Sequence, residues 1–575
     1  MRSFVALVLA ALTSLLPLFV FASPYREDLV LYNINTNKDA TDPTQYFTTV
    51  RQNQTYTPSP ENWRSLPTYT ILMDKFADGD PTNNDFFGTM YEYDHRETQL
   101  RFGGDLKGLV ARLDYIQAMG MKVIFVSGTP FLNMLWQADS YSPLDLTVLD
   151  PHWGTLADWE EVIGEIHARG MYFMADFTVG TMGDLIGFEG YLNASTPFDL
   201  NEHTAVWKHP RFMPWNFTEY RDFSINNVRN ASCQMPPFWL DNGAQITLET
   251  NGCMDSDFDQ YGDTEAFGVH PDWQRQLAKF ASVQDRLREW KPDVMAKLQK
   301  FACMVIEALD IDAIRIDKAT QITVDGMAAW ATSTRACAAR LGKKNFFIPG
   351  EITGGNAFGA LYIGRGRTPN MLPPGFLASA NITRDMDQYF LRNDPVSGLD
   401  GAAFHYSIYR SLSRFLGMDG NLQVGWDVDE NFVTAWNQLF VSNDFINSMT
   451  GKLDPRHMYG TSNFDVFRWP SLSNGTQRSA LATFITSLVM PGIPLYLYGE
   501  EQNMYLFDTG ASNYLYGRQA MSSTLAWKRH GCYKLGSDQY FNMPIDRGAL
   551  GCHDDWNALG PFRSHDRLSA PLYTV

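Results

Sequence analysis

The sequence predicts an α/β fold, a (β/α)8 barrel of the TIM type with a small domain inserted after its third strand. Three observations carry that expectation. Short apolar runs alternate with amphipathic helical stretches from about residue 69 to residue 499, the rhythm of parallel strands joined by helices. The rhythm breaks between residues 177 and 270, a stretch rich in Asn, Pro, Gly and aromatics; it is too long to be a structureless loop of a compact domain. No G-x-G-x-x-G run follows the first strand, which removes the main argument for an open dinucleotide-binding sheet.

The elements follow in order. Residues 1–23 open with Arg2 and an apolar run from Phe4 to Phe21, then Ala22 and Ser23. This is the pattern of a secretory signal peptide, with a retained anchor as the alternative. Residues 24–66 read as an arm packed on the main body, and 67–176 as the first part of the barrel. Its strands are expected in YTILMDKF (69–76), KVIFVSG (122–128) and MYFMADF (171–177), separated by the helical runs LKGLVARLDYIQAMG and TLADWEEVIGEIHARG. After the insertion the barrel resumes over 271–530. A long helix is expected over about 273–307, then a strand in DAIRI and a helix in VDGMAAWATSTRACAARLG. Strand five is expected in FFIPGE, strand six in GAAFHY (401–406), strand seven in NQLFVSND (437–444) and strand eight in IPLYLYG. Residues 531–575 form a C-terminal extension that reads as truncated.

At 575 residues the chain exceeds one ordinary domain. Its formal charge of -18 argues against nucleic acid, which needs a basic footprint. Past the signal-like segment no run offers the roughly 18 apolar residues of a membrane span. Export agrees with six N-glycosylation sequons, at Asn53, Asn193, Asn216, Asn230, Asn381 and Asn474. Of the six cysteines, Cys233 with Cys253 and Cys532 with Cys552 each close a loop of about 20 residues, worth roughly 3 kcal/mol. Cys303 and Cys337 lie in helical runs and are either a third pair or buried thiols.

The chemistry-bearing residues sit where strands end. In IDAIRIDKAT, Arg315 and Asp317 are two residues apart and share a strand face. They fall near the strand's C-terminal end, where a β/α barrel keeps its active site. Glu351 and Asp444 close two further strand-like runs. Carboxylates converging from three strand ends suit acid, base and nucleophilic work on a glycosidic bond. Asp317 is expected as nucleophile, Glu351 as acid/base with a raised pKa, Asp444 as the group that binds sugar hydroxyls, and Arg315 as the cation that keeps the nucleophile ionised. Trp136 and Tyr141, after strand two, offer aromatic faces to sugar rings, as does Trp153. A separate cluster, Asp78, Asp80, Asn83 and Asn84 with Gly103 and Asp105, presents hard oxygens at a spacing that suits structural Ca²⁺. An ordinary Asp/Asn turn cluster is the alternative.

These residues together resemble the α-amylase family of glycoside hydrolases (family 13). More narrowly, they resemble the extracellular amylase-like domain at the N-terminus of fungal cell-wall α-1,3-glucan synthases. Arg315-Ile316-Asp317, Glu351 and Asp444 stand at the family's three catalytic positions. PGIPLYLYGEE (491–501) and DPHWGTLADWEEVI (150–163) match flanking signatures. The opening YREDLVLYNINTNKDATDP and the closing HGCYKLGSDQY and GCHDDWNALG carry the narrower match. The resemblance implies a secreted or cell-wall protein that acts on α-glucan, spans no membrane in its mature chain and is attached through a larger parent protein. It also implies the roles of Asp176 after strand three and of the calcium loop. The departures are informative. Gly180 and Thr181 replace the family's calcium-ligating Asn and sugar-contacting His, Thr320 and Gln321 replace a Lys-His pair, and Asn443 replaces a His. They turn the expectation from starch hydrolysis towards a retaining glycosidase or transglycosylase of cell-wall α-glucan. A catalytically weak α-glucan-binding module is the alternative.

Overall fold

A computed structural model describes residues 27–31, 55–84, 102–133, 139–183, 233–239, 245–250, 257–259, 284–352, 356–365, 396–416, 431–441, 443–447, 449–460, 462–466, 477–502, 518 and 521. Eight parallel strands form a near-closed barrel. They are β1 (Thr68–Leu72), β2 (Val123–Ser127), β3 (Tyr172–Phe177), β4 (Ala313–Ile316), β5 (Pro349–Gly350), β6 (Gly401–Ala402), β7 (Met458–Gly460) and β8 (Ile493–Leu497). The hydrogen-bonded order is β6-β5-β4-β3-β2-β1-β8-β7, so each strand lies beside its sequence neighbour. The last gap is spanned outside the regular ladder: His405 N donates to Met458 O at 3.1 Å and Ala402 N to His457 Nδ1 at 2.9 Å. Gly401 permits this approach, because a Cβ there would lie 2.6 Å from Arg456 O.

The strands are apolar on both faces because helices cover the outside and side chains fill the inside. Helix α1 (Leu106–Val110) and α2 (Leu113–Ala118) follow β1, with Asp105 capping α1 through Gly108 N. Thr155 and Asp158 form a capping box on α3 (Leu156–Ala168), whose Trp159, Val162, Ile163 and Ile166 face the barrel. Helix α4 (Pro292–Leu309) precedes β4 and α5 (Val324–Arg340) follows it. The expected helix over 273–307 begins only at Pro292. Residues 284–287 instead pair antiparallel with Thr181–Gly183 and Phe258–Asp259, so the chain returns from the insertion as a strand. A second small sheet pairs Cys233–Trp239 with Gln245–Thr250.

Strand seven differs from expectation. NQLFVSND does not form a strand: most of it lies in helix α8 (Phe432–Val441), which follows α6 (Asn356–Tyr362) and α7 (Tyr406–Phe415). The apolar residues of that run are read correctly by a helical period, since Ala435 and Leu439, four apart, bury against Ile408 and Leu412 of α7. The true β7 is the three-residue run Met458–Gly460, too short for any periodicity to reveal. Helix α9 (Gln477–Val489) then leads to β8.

The N-terminal arm is tied to the barrel's base. Val30 bridges Val148, and the ammonium of Lys343 binds Thr57 O at 2.8 Å and Asp312 Oδ1 at 2.7 Å. Cys303 of α4 and Cys337 of α5 are disulfide-bonded with Cα atoms 5.7 Å apart, which decides between the two alternatives left open by the sequence. The partner of Cys233, the Cys532–Cys552 pair, all six sequons, the signal-like segment and the C-terminal extension lie outside the described residues. No helix among the described residues is long and apolar enough to cross a membrane. Replacing Cys303 and Cys337 together by Ala opens a loop with a sequence separation of 34. The expected loss is about 4 kcal/mol in urea unfolding.

Candidate active site

Parallel pairing sets the register of the site. Arg315 lies opposite Asp176, and Ile316 opposite both Phe177 and Gly350. Asp176, Arg315, Asp317 and Glu351 therefore arrive together at the C-terminal mouth. Arg315 is 2 % exposed and holds all three acids. Its Nη1 donates to Asp176 Oδ1 and Oδ2 at 2.9 Å each and to Asp317 Oδ1 at 2.7 Å, and its Nη2 lies 3.1 Å from Glu351 Oε2. Further donors fix each carboxylate. Tyr141 Oη donates to Asp176 at 2.8 Å, Tyr406 Oη to Glu351 Oε1 at 3.0 Å, and Lys318 N to Glu351 Oε2 at 3.1 Å. The ammonium of Lys318 sits on Asp317 Oδ2.

The acids differ in charge because their partners differ. Burial pushes Glu351 up to about 7; Arg315 opposes this, and the charges of Asp317 and Asp465 add to it. Burial likewise raises Asp176 to about 6 against Arg315. Burial also acts on Asp317, but Lys318 and Arg315 outweigh it and hold this carboxyl below its ordinary value. Asp317 and Glu351 are bridged by Arg315, through Oδ1 and Oε2 respectively. A proton on Glu351 and a charge on Asp317 form the pair needed by an acid beside a nucleophile.

Asp444 does not join them. It follows α8, and its Oδ2 faces His457 Nε2 at 3.8 Å. His457 precedes β7, so Asp444 lies at the opposite end of the barrel from Asp317 and Glu351. Burial raises its carboxyl. Asn443 is likewise displaced: it is an exposed turn residue at φ 57° whose carbonyl accepts from Arg365. The carboxylate that follows β7 at the catalytic mouth is Asp465, missed because its strand is so short. The available signal was Thr-Ser-Asn-Phe-Asp (461–465) directly after Met-Tyr-Gly. Asn463 donates to Tyr406 Oη at 3.3 Å. Phe464 stacks on Tyr141 with centroids 6.2 Å apart. Arg518 binds Asp465 and, at 2.9 Å, Asp139, with its guanidinium 5.3 Å over the Phe464 ring.

The other expected contacts separate. Tyr141 lies in the site, whereas Trp153 is buried against Trp159 and Trp136 is outside the described residues. Thr181 pairs with Arg286 in the small sheet. Thr320 and Gln321 are buried in the turn after Lys318, and neither amide atom of Gln321 is hydrogen-bonded.

Beside Gly180, the position that the family resemblance gives to a calcium ligand, a protein cation is already present. Arg286, fully buried, donates to Gly180 O at 3.1 Å and to Leu287 O, and pairs with Glu289 at 2.5 and 2.8 Å. A Cβ on residue 180 would meet Ile322 Cγ1 at 2.7 Å. This junction does not fit a calcium ion. In the 78–105 loop the candidate ligands divide. Asp105 is occupied by Gly79 N, Asp80 N, Gly108 N and Asn83 Nδ2, and Asp80 by Lys107 and Thr82. Asn84 Nδ2 donates to Asp78 at 2.8 Å, and a Cβ on Gly103 would sit 2.5 Å from that amide. The buried oxygens Asn83 Oδ1 and Asn84 Oδ1 accept no hydrogen bond, and a hard cation satisfies such a pair. The described His, Cys, Asp and Glu residues bring three ligand atoms together at Cys303, Glu307 and Cys337, where the disulfide leaves no thiolate.

This geometry is matched by comparison with known proteins. Residues 70–340 match the family described as alpha amylase, catalytic domain. The chain is 54% identical over 563 residues to cell wall alpha-1,3-glucan synthase mok13 of Schizosaccharomyces pombe, covering 98% of this chain and 23% of that protein. It belongs to the α-amylase family. It is also 50% identical over 554 residues to alpha-1,3-glucan synthase ags1 of the same yeast, covering 96% of this chain and 23% of that one. The chain thus spans about a quarter of the length of these relatives. Among solved structures, the cyclic alpha-maltosyl-(1→6)-maltose hydrolase of Arthrobacter globiformis aligns at TM-score 0.50 and 16% identity, over 88% of this chain and 84% of that one. That likeness concerns the fold alone.

Glu351 gives a pH signature. It keeps its proton to about pH 7 in the fold but loses it at an ordinary carboxyl value in the unfolded chain. Between these values the folded state binds the extra proton, so this group's contribution to stability falls as pH rises through that window. Glu351→Gln removes that share of the slope, read as a flatter melting-temperature profile between about pH 4.5 and 7.

Proposed function

We propose that this α-amylase-family barrel is a retaining enzyme of cell-wall α-glucan, working as a glycosidase or transglycosylase. The observation that carries the reading is that Asp317, held below its ordinary value, and Glu351, pushed up to about 7 by burial, are bound to one guanidinium. Two carboxyls held on one guanidinium suit a double displacement, whereas an inverting site separates them by roughly 6.5–9.5 Å to admit water. In the first step an Asp317 oxygen bonds to the anomeric carbon as the glycosidic C–O bond breaks and Glu351 passes its proton to the leaving oxygen. In the second, Glu351 takes a proton from water or from a glucan hydroxyl, whose oxygen displaces Asp317. Asp465 takes the role first expected of Asp444, and its position after β7 supports this. The likeness to alpha-1,3-glucan synthases supports an α-glucan partner and a place outside the cell at the wall.

A second reading, an α-glucan-binding module with weak turnover, is favoured by one observation. Asp317 and Asp465 are each paired with a cation, Lys318 and Arg518.

Calcium bound by Asp78, Asn83 and Asn84 would hold the loop after β1 and take no part in the chemistry. Chelation is expected to lower the melting temperature of the native chain, and Asn84→Ala to abolish that response in a thermal-shift titration.

Incubation with α-1,3- and α-1,4-linked oligosaccharides, followed by mass analysis of products, tests the enzymatic reading. Glu351→Gln is expected to lower turnover by about 10²–10⁴-fold and Asp465→Asn to lower it strongly, while Asp444→Asn leaves it near native. Saturable binding with no products, unchanged in Asp317→Asn, favours the binding module.

A further inference from the structure

We propose that Lys318 caps the attacking oxygen of Asp317 in the resting site and must leave it before a glycosyl ester can form. The inference rests on the retaining reading above. Asp317 has two oxygens, and both are held: Oδ1 by Arg315 at 2.7 Å and Oδ2 by the Lys318 ammonium. Only one of these cations can yield. Arg315 is clamped between Asp176 and Glu351, so its movement would strand two buried acids. Lys318 carries its charge on a flexible four-carbon stem.

The backbone builds this cap on purpose. Neighbouring residues of a strand point to opposite faces, so a lysine at 318 should face away from Asp317. It does not, because Lys318 adopts the left-handed conformation, φ 48° and ψ 44°. That conformation is unfavourable for a non-glycine residue. It is held by the bond from Lys318 N to Glu351 Oε2 at 3.1 Å and from Gln321 N to Lys318 O at 2.9 Å. The turn brings the ammonium back onto the carboxylate of the preceding residue and 5.4 Å over the Tyr141 ring. That π face gives the cation an alternative resting place when it leaves Oδ2.

The chemistry balances without another reactant. When Oδ2 bonds to the anomeric carbon, the leaving oxygen takes the Glu351 proton and Asp317 loses its charge to the ester. The ester leaves the ammonium without its carboxylate partner until the second step regenerates it, and Glu351, now ionised, is in the form required to accept a proton from the incoming hydroxyl. The cap slows the first step and favours the second. It therefore disfavours idle reaction in the absence of a well-bound glucan.

Intact-mass labelling of Asp317 with a 5-fluoro-α-glucosyl fluoride reads the first step alone. At pH 8 Asp317 is ionised with or without Lys318. Lys318→Met is expected to label about tenfold faster than native chain, the size of one lost charge-assisted hydrogen bond, and Lys318→Arg at near the native rate. The acid limb of the labelling-rate profile should also move to higher pH in Lys318→Met, because the cation that helps keep Asp317 ionised is gone. Labelling of Lys318→Met at or below the native rate, with matching melting temperatures, overturns the cap. Labelling of neither protein removes the retaining reading and the cap with it.

Discussion

One buried guanidinium organises the catalytic mouth. Arg315 faces inward from β4, 2 % exposed, and gathers acids from β3, from its own strand end and from β5. Removing it would leave three carboxylates without their shared cation, a change worth about 3–5 kcal/mol for breaking even one buried pair. The same contacts divide the acids by function. A single cation cannot satisfy three neighbouring charges, so burial raises the carboxyls of Glu351 and Asp176, while Asp317, with Lys318 as a second cation, is held below its ordinary value.

The mouth as a whole follows the same rule. Arg518 joins Asp139 to Asp465 across it, Phe464 lies between that guanidinium and Tyr141, and Arg286 with Glu289 occupies the junction beside Gly180. Each of these acids is bound to a protein cation, shared in most cases. Any ligand entering such a site must compete with these partners for the acids. This is the physical source of the tension between an active transglycosylase and a glucan-binding module.

The sequence made most of the barrel legible, strand by strand. Runs such as VIFVS and AIRI are mostly apolar and buried at every residue because both faces are covered, and flanking helices with clear caps, such as Thr155 before α3, bracket them. It failed where pairing was brief. Met458–Gly460 is three residues long and Gly401–Ala402 two, lengths at which neighbours rather than local preference decide the conformation. The stronger apolar run at 437–444 therefore imitates a strand, although most of it is helical and Asn443 and Asp444 at its end lie away from the site.

By itself, the sequence determined the family, the barrel and the central Arg315, Asp317 and Glu351, because these depend on short-range patterns: two-residue spacing on a strand and a carboxylate at a strand's end. Only the tertiary structure decided which acid completes the set, whether Cys303 meets Cys337, and that Lys318, Arg518 and Arg286 stand as cations where sugar or metal was expected. Those outcomes depend on residues up to 379 positions apart, as Arg518 is from Asp139. No local pattern records such a distance; it is set by closing the barrel and burying charges that must then find partners.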